Sequence, residues 1–166
     1  FAGLSIGEYS ALAGAKVLKD YDAISIADFR GLAMTEASKG INTGMVAIMG
    51  LEKKIIDEIL KNLNDGDKKV EIANLNCPGQ IVISGEKSKV DEAVEKLKGA
   101  GARRAITLNV SGPFHTSYMT EVSNKLQELF EKYEFSEEEI PVVYNYLGNI
   151  RKDENIKDLM IKQVSS

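Results

Sequence analysis

The sequence predicts an α/β fold in which a smaller unit interrupts a larger core, and two patterns carry that expectation. Gly3-Leu4-Ser5-Ile6-Gly7 has the Gly-x-Ser-x-Gly spacing of a nucleophile elbow, the sharp strand-to-helix turn of α/β-hydrolase-like cores. Further on, the hydrophobic rhythm runs β-α-β-β-α-β, the order of a ferredoxin-like subdomain with two helices over one face of an antiparallel sheet. The expected division is a large subdomain of residues 1–42 and 110–166 and a small subdomain of residues 43–109. An elbow needs a strand before it, and Phe1-Ala2 supplies only the end of one. The chain is therefore expected to be an internal piece, with the N-terminal strands of the core missing.

Each element follows from its pattern. Tyr9, Leu12, Ala13 and Val17 predict a helix from the elbow to about Leu18. Asp20 or Asp22 caps a second, whose apolar stripe is Ile26, Phe29, Ala33 and Ala37, closed by Lys39-Gly40. "GMVAIMGL" (44–51) reads as a strand, and 52–63 as a helix with Ile55, Ile56, Ile59, Leu60 and Leu63 on one face. "NDGDKK" is a turn, "VEIANL" a strand, "NCPGQ" a turn and "IVISG" a strand. Residues 86–98 form a helix facing Val90, Ala93, Val94 and Leu97 inward, and "RRAITLNV" is a strand. After "SGPFHTSYM" comes a long helix repeating Met119, Val122, Leu126, Leu129 and Tyr133, then a strand in "IPVVYNYLGN" and a helix over 155–163.

Composition narrows the function. With 43% hydrophobic and 28% charged residues the chain is that of a globular protein. A net charge of -4 argues against a general nucleic-acid binder. No run approaches the roughly 20 apolar residues of a membrane-spanning helix. Cys77 is the only cysteine, which fits a reducing compartment, and a cytoplasmic location is expected. One histidine and one cysteine make no zinc site, and no metal is expected.

Ser5 is the first candidate for chemistry. A hydroxyl needs a base within reach and donors for the oxyanion. An elbow provides a helix N-terminus beside the serine, and the N–H of the next residue, Ile6, is placed as an oxyanion donor. The same serine could equally be an ordinary helix cap. His115 is the sole histidine, so an imidazole base for Ser5 within this chain must be His115. It stands near a helix start, where the dipole keeps the ring neutral, although a lone histidine is more often structural. No obvious acid partner follows in the Ser…Asp…His order of esterases, because Asp91 and the other acids between Ser5 and His115 mostly fall on solvated faces. Arg30 could grip a carboxylate through two parallel hydrogen bonds, while the pattern alone favours a surface arginine on an amphipathic helix. Cys77, in a turn before Pro78-Gly79, has no base to make it a competing nucleophile.

With these residues in view, the chain resembles the malonyl-CoA:acyl carrier protein transacylase family of fatty acid synthesis. "GLSIGEYSALAGA" resembles that family's nucleophile segment, "FRGLAMTEAS" its arginine helix, "NCPGQIVISG" its subdomain hairpin and "VSGPFHTSYM" its histidine segment. The resemblance implies that Ser5 takes a malonyl group from coenzyme A as an ester and passes it to the phosphopantetheine thiol of acyl carrier protein. It implies His115 as base and then acid, Arg30 as the holder of the malonyl carboxylate, and Ile6 as an oxyanion amide. Gln163 resembles the glutamine whose main-chain carbonyl orients the histidine, and the resemblance implies that Gln80 lies near the substrate arm. Gly-Pro-Phe before His115 resembles malonyl-selective members. Leu4 stands where many members have histidine. The partners implied are malonyl-CoA and acyl carrier protein, with no cofactor.

The family's glycine- and glutamine-rich loop, which supplies a second oxyanion donor, has no counterpart in the sequence. Losing one such donor costs on the order of 3 kcal/mol in the barrier, so the isolated chain is expected to be weakly active or inactive. Two alternatives compete. One is a serine hydrolase, such as a thioesterase acting on acyl-CoA, which needs Ser5 and His115 but not Arg30. The other is a non-catalytic module that docks an acidic carrier protein on Lys96, Lys98, Arg103 and Arg104.

Overall fold

The computed structural model describes residues 1–64 and 66–166. The turn expected over "NDGDKK" includes Asp65, which lies outside the described residues. The protein is α/β and divides into two compact units, one of residues 1–34 and 120–165, the other of residues 35–119 with Ser166.

The second unit is built on a four-stranded antiparallel sheet. Its elements run β1 (Thr43–Met49), α3 (Lys53–Leu63), β2 (Val70–Cys77), β3 (Gln80–Glu86), α4 (Lys87–Gly99) and β4 (Arg104–Thr107), and the strand order is β2-β3-β1-β4. Period-two alternation sorts β1 onto two faces. Val46 and Ile48 join Val70, Ile81 and Ile83 beneath Ile56, Leu60 and Leu63 of α3 and Val90, Ala93 and Leu97 of α4. Met45 and Ala47 join Ala73 and Val82 on the other face. The β2–β3 hairpin turns on Pro78-Gly79, with Gly79 at φ 78°. Strand β2 shifts register between Ile72 and Asn74 and again between Leu75 and Cys77. Helix α4 starts on Glu86, whose carboxylate accepts from the Ser88 N–H at 2.9 Å. Strand β4 is shorter than "RRAITLNV" suggests, because only Arg104–Thr107 finds partners along β1.

The first unit holds α1 (Gly7–Gly14), α2 (Asp20–Ala37, here to Met34), α5 (Thr120–Phe130), α6 (Ile156–Ser165) and a small hairpin of β5 (Val143–Tyr144) and β6 (Asn149–Ile150). Its buried apolar side chains include Tyr9, Leu12, Val17, Ile26, Val122, Leu126, Phe130, Tyr144, Met160 and Val164. The chain before the elbow forms a parallel bridge, Ala2 to Val143, with the Val143 N–H donating to Phe1 O at 2.9 Å.

Three further elements differ from the sequence reading. Helix α1 stops at Gly14, not Leu18, because Lys16 turns left-handed at φ 65°. The N–H groups of Lys16 and Val17 then close back on Ala13 O and Leu12 O, a Schellman motif. Helix α5 stops at Phe130, short of Tyr133, and Lys157 Nζ donates to the carbonyl of Phe130 at 2.6 Å. "IPVVYNYLGN" is not one strand but folds back on itself, with Gly148 at φ 62° and its N–H on Tyr144 O.

Beside that hairpin, Glu138 is clamped by Arg151, whose Nε donates to Oε1 at 2.7 Å and whose Nη2 meets Oε2. Tyr144 Oη donates to Oε1 at 3.0 Å. The arginine hydrogen bonds hold the Glu138 carboxyl at about 2, well below the usual 4.5. A depressed carboxylate pKa stabilises the fold above the unfolded value and ceases to do so as pH falls through the folded one. Thermal stability should therefore drop between pH 4.5 and about 2, and Glu138→Gln should shrink that drop, of which Glu86, also held at about 2, keeps a share, while costing about 2 kcal/mol at neutral pH. Melting curves of the two proteins across this window provide the check.

Candidate active site

The elbow is built on one close approach. Gly3 passes so near Gly7 that a Cβ on Gly3 would lie 2.0 Å from Gly7 O, whereas a Cβ on Gly7 would meet nothing within 4 Å. Between them Ser5 adopts φ 53°, a left-handed conformation that costs a non-glycine residue of order 1–2 kcal/mol. Ile6 then sits at the N-cap of α1 with helical angles, placing its N–H at the positive end of the helix. The side chains of Leu4 and Ile6 point outward, 62% and 57% exposed.

Every polar group of Ser5 is engaged. Its N–H donates to Asn145 Oδ1 at 2.6 Å, and Asn145 Nδ2 donates to Gly3 O at 2.6 Å. Its carbonyl accepts from Gln163 Nε2 at 3.1 Å and from the Glu8 N–H at 3.2 Å. Its hydroxyl oxygen accepts from Arg30 Nη2 at 2.7 Å, and the same nitrogen reaches Gln163 Oε1 at 3.2 Å.

Arg30 is where pattern reading and structure part. The inward positions of α2 in this unit are Ala23, Ile26, Arg30, Ala33 and Met34, while Phe29 is only half-buried. The guanidinium thus lies on the buried stripe, not on the surface that the pattern favoured, and is 4% exposed. Its Cζ stands 5.8 Å from the centroid of the Tyr9 ring, a cation–π contact. Burial lowers its pKa, while Tyr9 and the Glu8 carboxylate pull the other way. Among the described residues Arg30 Nε has no hydrogen-bond partner.

Glu8 supplies the opposite charge and had no signal in the sequence beyond its place after the elbow. It is 1% exposed, and burial raises its pKa. Its Oε1 accepts from the Asn145 N–H at 2.8 Å and its Oε2 from Gln163 Nε2 at 2.5 Å. Those bonds fix the Gln163 amide: the nitrogen must face Glu8 and the Ser5 carbonyl, so the oxygen faces Arg30. Asn145 was likewise unmarked, being one polar residue inside an apparent strand.

The structure therefore brings Ser5, Arg30 and Gln163 together in the first unit, with Ile6 beside them. His115 and Gln80 belong to the second unit. His115 is 6% exposed and left-handed at φ 58°, just before a single 3₁₀ turn, Ser117–Met119. Thr116 Oγ1 donates to Pro113 O at 2.5 Å, tightening that bend. Gln80 opens β3, and its Oε1 lies 3.6 Å from the exposed Cys77 Sγ. Of the basic residues considered for carrier docking, Lys96 and Lys98 pair with Glu92 and Glu95, and Arg103 folds over Gly50. Among the described residues no cluster of three or more His, Cys, Asp or Glu side chains could hold a metal ion, and no helix is long and apolar enough to cross a membrane.

A serine at a strained turn into a helix, with a buried cation on its hydroxyl, is an arrangement that can carry acyl chemistry. The chain belongs to the acyl transferase domain family, whose pattern matches residues 1–155. It is 44% identical over 165 residues to the malonyl CoA-acyl carrier protein transacylase of Staphylococcus aureus strain MRSA252, covering 99% of this chain and 54% of that protein. It is 39% identical over 166 residues to the protein of the same name from Bacillus subtilis strain 168, covering 99% and 52%. The crystal structure of a malonyl CoA-acyl carrier protein transacylase from Clostridium perfringens superposes with a TM-score of 0.91 at 38% identity, over 99% of this chain and 52% of that one. A type II PKS acyl-carrier protein in complex with its malonyl-transacylase superposes with a TM-score of 0.93 at 39% identity, over 99% and 53%. The chain thus spans about half the length of the curated relatives it matches.

The two glycines of the elbow should behave differently. Gly3→Ala must displace backbone and should destabilise the protein by about 3 kcal/mol. Gly7→Ala has room and should be neutral or stabilising by roughly 0.5 kcal/mol. Urea unfolding of the pair tests this.

Proposed function

We propose that the protein carrying this chain transfers a malonyl group from coenzyme A to the phosphopantetheine thiol of acyl carrier protein. It is then an [acyl-carrier-protein] S-malonyltransferase of fatty acid biosynthesis, in the cytoplasm and without a cofactor. The observation that carries this reading is the buried Arg30 guanidinium 2.7 Å from the Ser5 hydroxyl. An acyl group bound to that serine brings its far end beside a cation, which suits an acyl group ending in a carboxylate. The relatives named above, malonyl transacylases along nearly all of this chain, support the same substrate.

In this reading Ser5 Oγ attacks the thioester carbonyl as His115 takes the hydroxyl proton. The oxyanion is held by the Ile6 N–H, and the tetrahedral intermediate expels coenzyme A as the thiol, protonated from His115. The phosphopantetheine thiol then attacks the seryl ester, gives its proton to His115, and Ser5 leaves with that proton restored. Gln163 orients His115 through its main-chain carbonyl, and Gln80 lies along the substrate arm. Glu8, the carboxylate of the first unit's network, is committed to Asn145 and Gln163, which favours His115 as the base.

The fold belongs to the same proposal. A hydrolase-like core over residues 1–42 and 110–166 is supported by the elbow and by the parallel Ala2–Val143 bridge. A ferredoxin-like subdomain over residues 43–109 is supported by the β2-β3-β1-β4 order of its antiparallel sheet.

Brief exposure to malonyl-CoA should add one malonyl group, located by mass spectrometry on the peptide containing Ser5 and absent in Ser5→Ala. Arg30→Ala should slow malonyl transfer by roughly 10²-fold, about 3 kcal/mol, while leaving acetyl transfer little changed. Equal losses for the two acyl groups would point instead to a thioesterase-like hydrolase.

A further inference from the structure

Resting on the reading of Ser5 as nucleophile, we propose that Asn145 is its positioning residue, a role carried by the Asn145 carboxamide bridging the two sides of the elbow. The bracket is reciprocal. Oδ1 accepts from the Ser5 N–H and Nδ2 donates to Gly3 O, each at 2.6 Å, so the amide spans the residues that flank Leu4. Turning the amide over would set a donor against a donor and an acceptor against an acceptor, so one orientation is specified.

The anchor of Asn145 is itself anchored. Its main-chain N–H donates to Glu8 Oε1 at 2.8 Å, and Glu8 Oε2 accepts from Gln163 Nε2, which also holds the Ser5 carbonyl. Asn145 follows β5, whose Val143 pairs with Ala2 immediately before the elbow. The side chain therefore starts from backbone registered to the elbow itself. A left-handed serine needs such external fixation, since its own preference is to leave that conformation. Misplacing the attacking oxygen by as little as 1 Å lowers the rate of attack without touching distant binding contacts.

The test compares Asn145→Ala and Asn145→Asp with the unaltered protein by two readouts, well below the lowest melting temperature. One is the single-turnover rate of malonyl-ester formation on Ser5. The other is phosphonylation of Ser5 by a small fluorophosphonate, in which Oγ bonds to phosphorus and fluoride leaves with the serine proton. Asn145→Ala should slow each by about 10²-fold with KM for malonyl-CoA within roughly twofold. Asn145→Asp keeps the acceptor for the Ser5 N–H and loses the donor to Gly3 O, so its loss should be about tenfold. Unaltered rates in either folded variant, or a loss seen only as a raised KM, would overturn the assignment. If Asn145→Ala does not fold, Asn145→Asp decides alone. Phosphonylation slowed in the variants while malonyl-CoA labels nothing would sink the malonyl reading and leave the role of Asn145 supported.

Discussion

A serine held in a left-handed backbone conformation is the constraint around which the first unit is arranged. The turn exists because Gly3 lacks a side chain where Gly7 O passes, and its cost is met by hydrogen bonds from outside the turn. Asn145 reaches it from the end of β5 and Gln163 from α6, two segments at the far end of the chain. The break in "IPVVYNYLGN" and the position of α6 thus share one cause. Each must deliver a carboxamide to a bend nearly a whole chain length away.

The second requirement is electrostatic. Burying one charge costs far more than burying a hydrogen-bonded pair, and Glu8 and Arg30 are buried together without touching through a direct salt bridge. The Gln163 amide stands between them, its nitrogen on the carboxylate and its oxygen on the guanidinium. This relay lets the arginine keep its nitrogen on the serine hydroxyl instead of closing onto the glutamate. A direct bidentate pair would be tighter and would take the guanidinium away from Ser5.

The sequence made the order of helices and strands over residues 43–109 legible, because Val, Ile and Leu alternate or repeat there at clean periods. The elbow was legible from two glycines and a serine. Helix ends were not: α1 closes just past Gly14 on a left-handed lysine, and α5 on a carbonyl capped by distant Lys157 with no breaker residue. Pattern alone favoured the surface for Arg30 because an amphipathic reading assigns every charge to solvent, while the family resemblance placed it among the site residues; in the structure Glu8 matches the charge through another residue. Glu8, Asn145 and the side-chain role of Gln163 were invisible for a related reason. Their meaning lies in partners between 133 and 158 positions away, which no local pattern encodes.

The register shifts in β2 carry a consequence for the behaviour of the protein in solution. The sheet order leaves β2 and β4 as its two margins. An uninterrupted margin offers a ladder onto which another molecule's strand can zip. Two bulges break the hydrogen-bonding rhythm of one margin, and the other extends for only four residues, Arg104–Thr107. Neither presents a long even template, so the unit is built to discourage strand-to-strand self-association in a crowded solution.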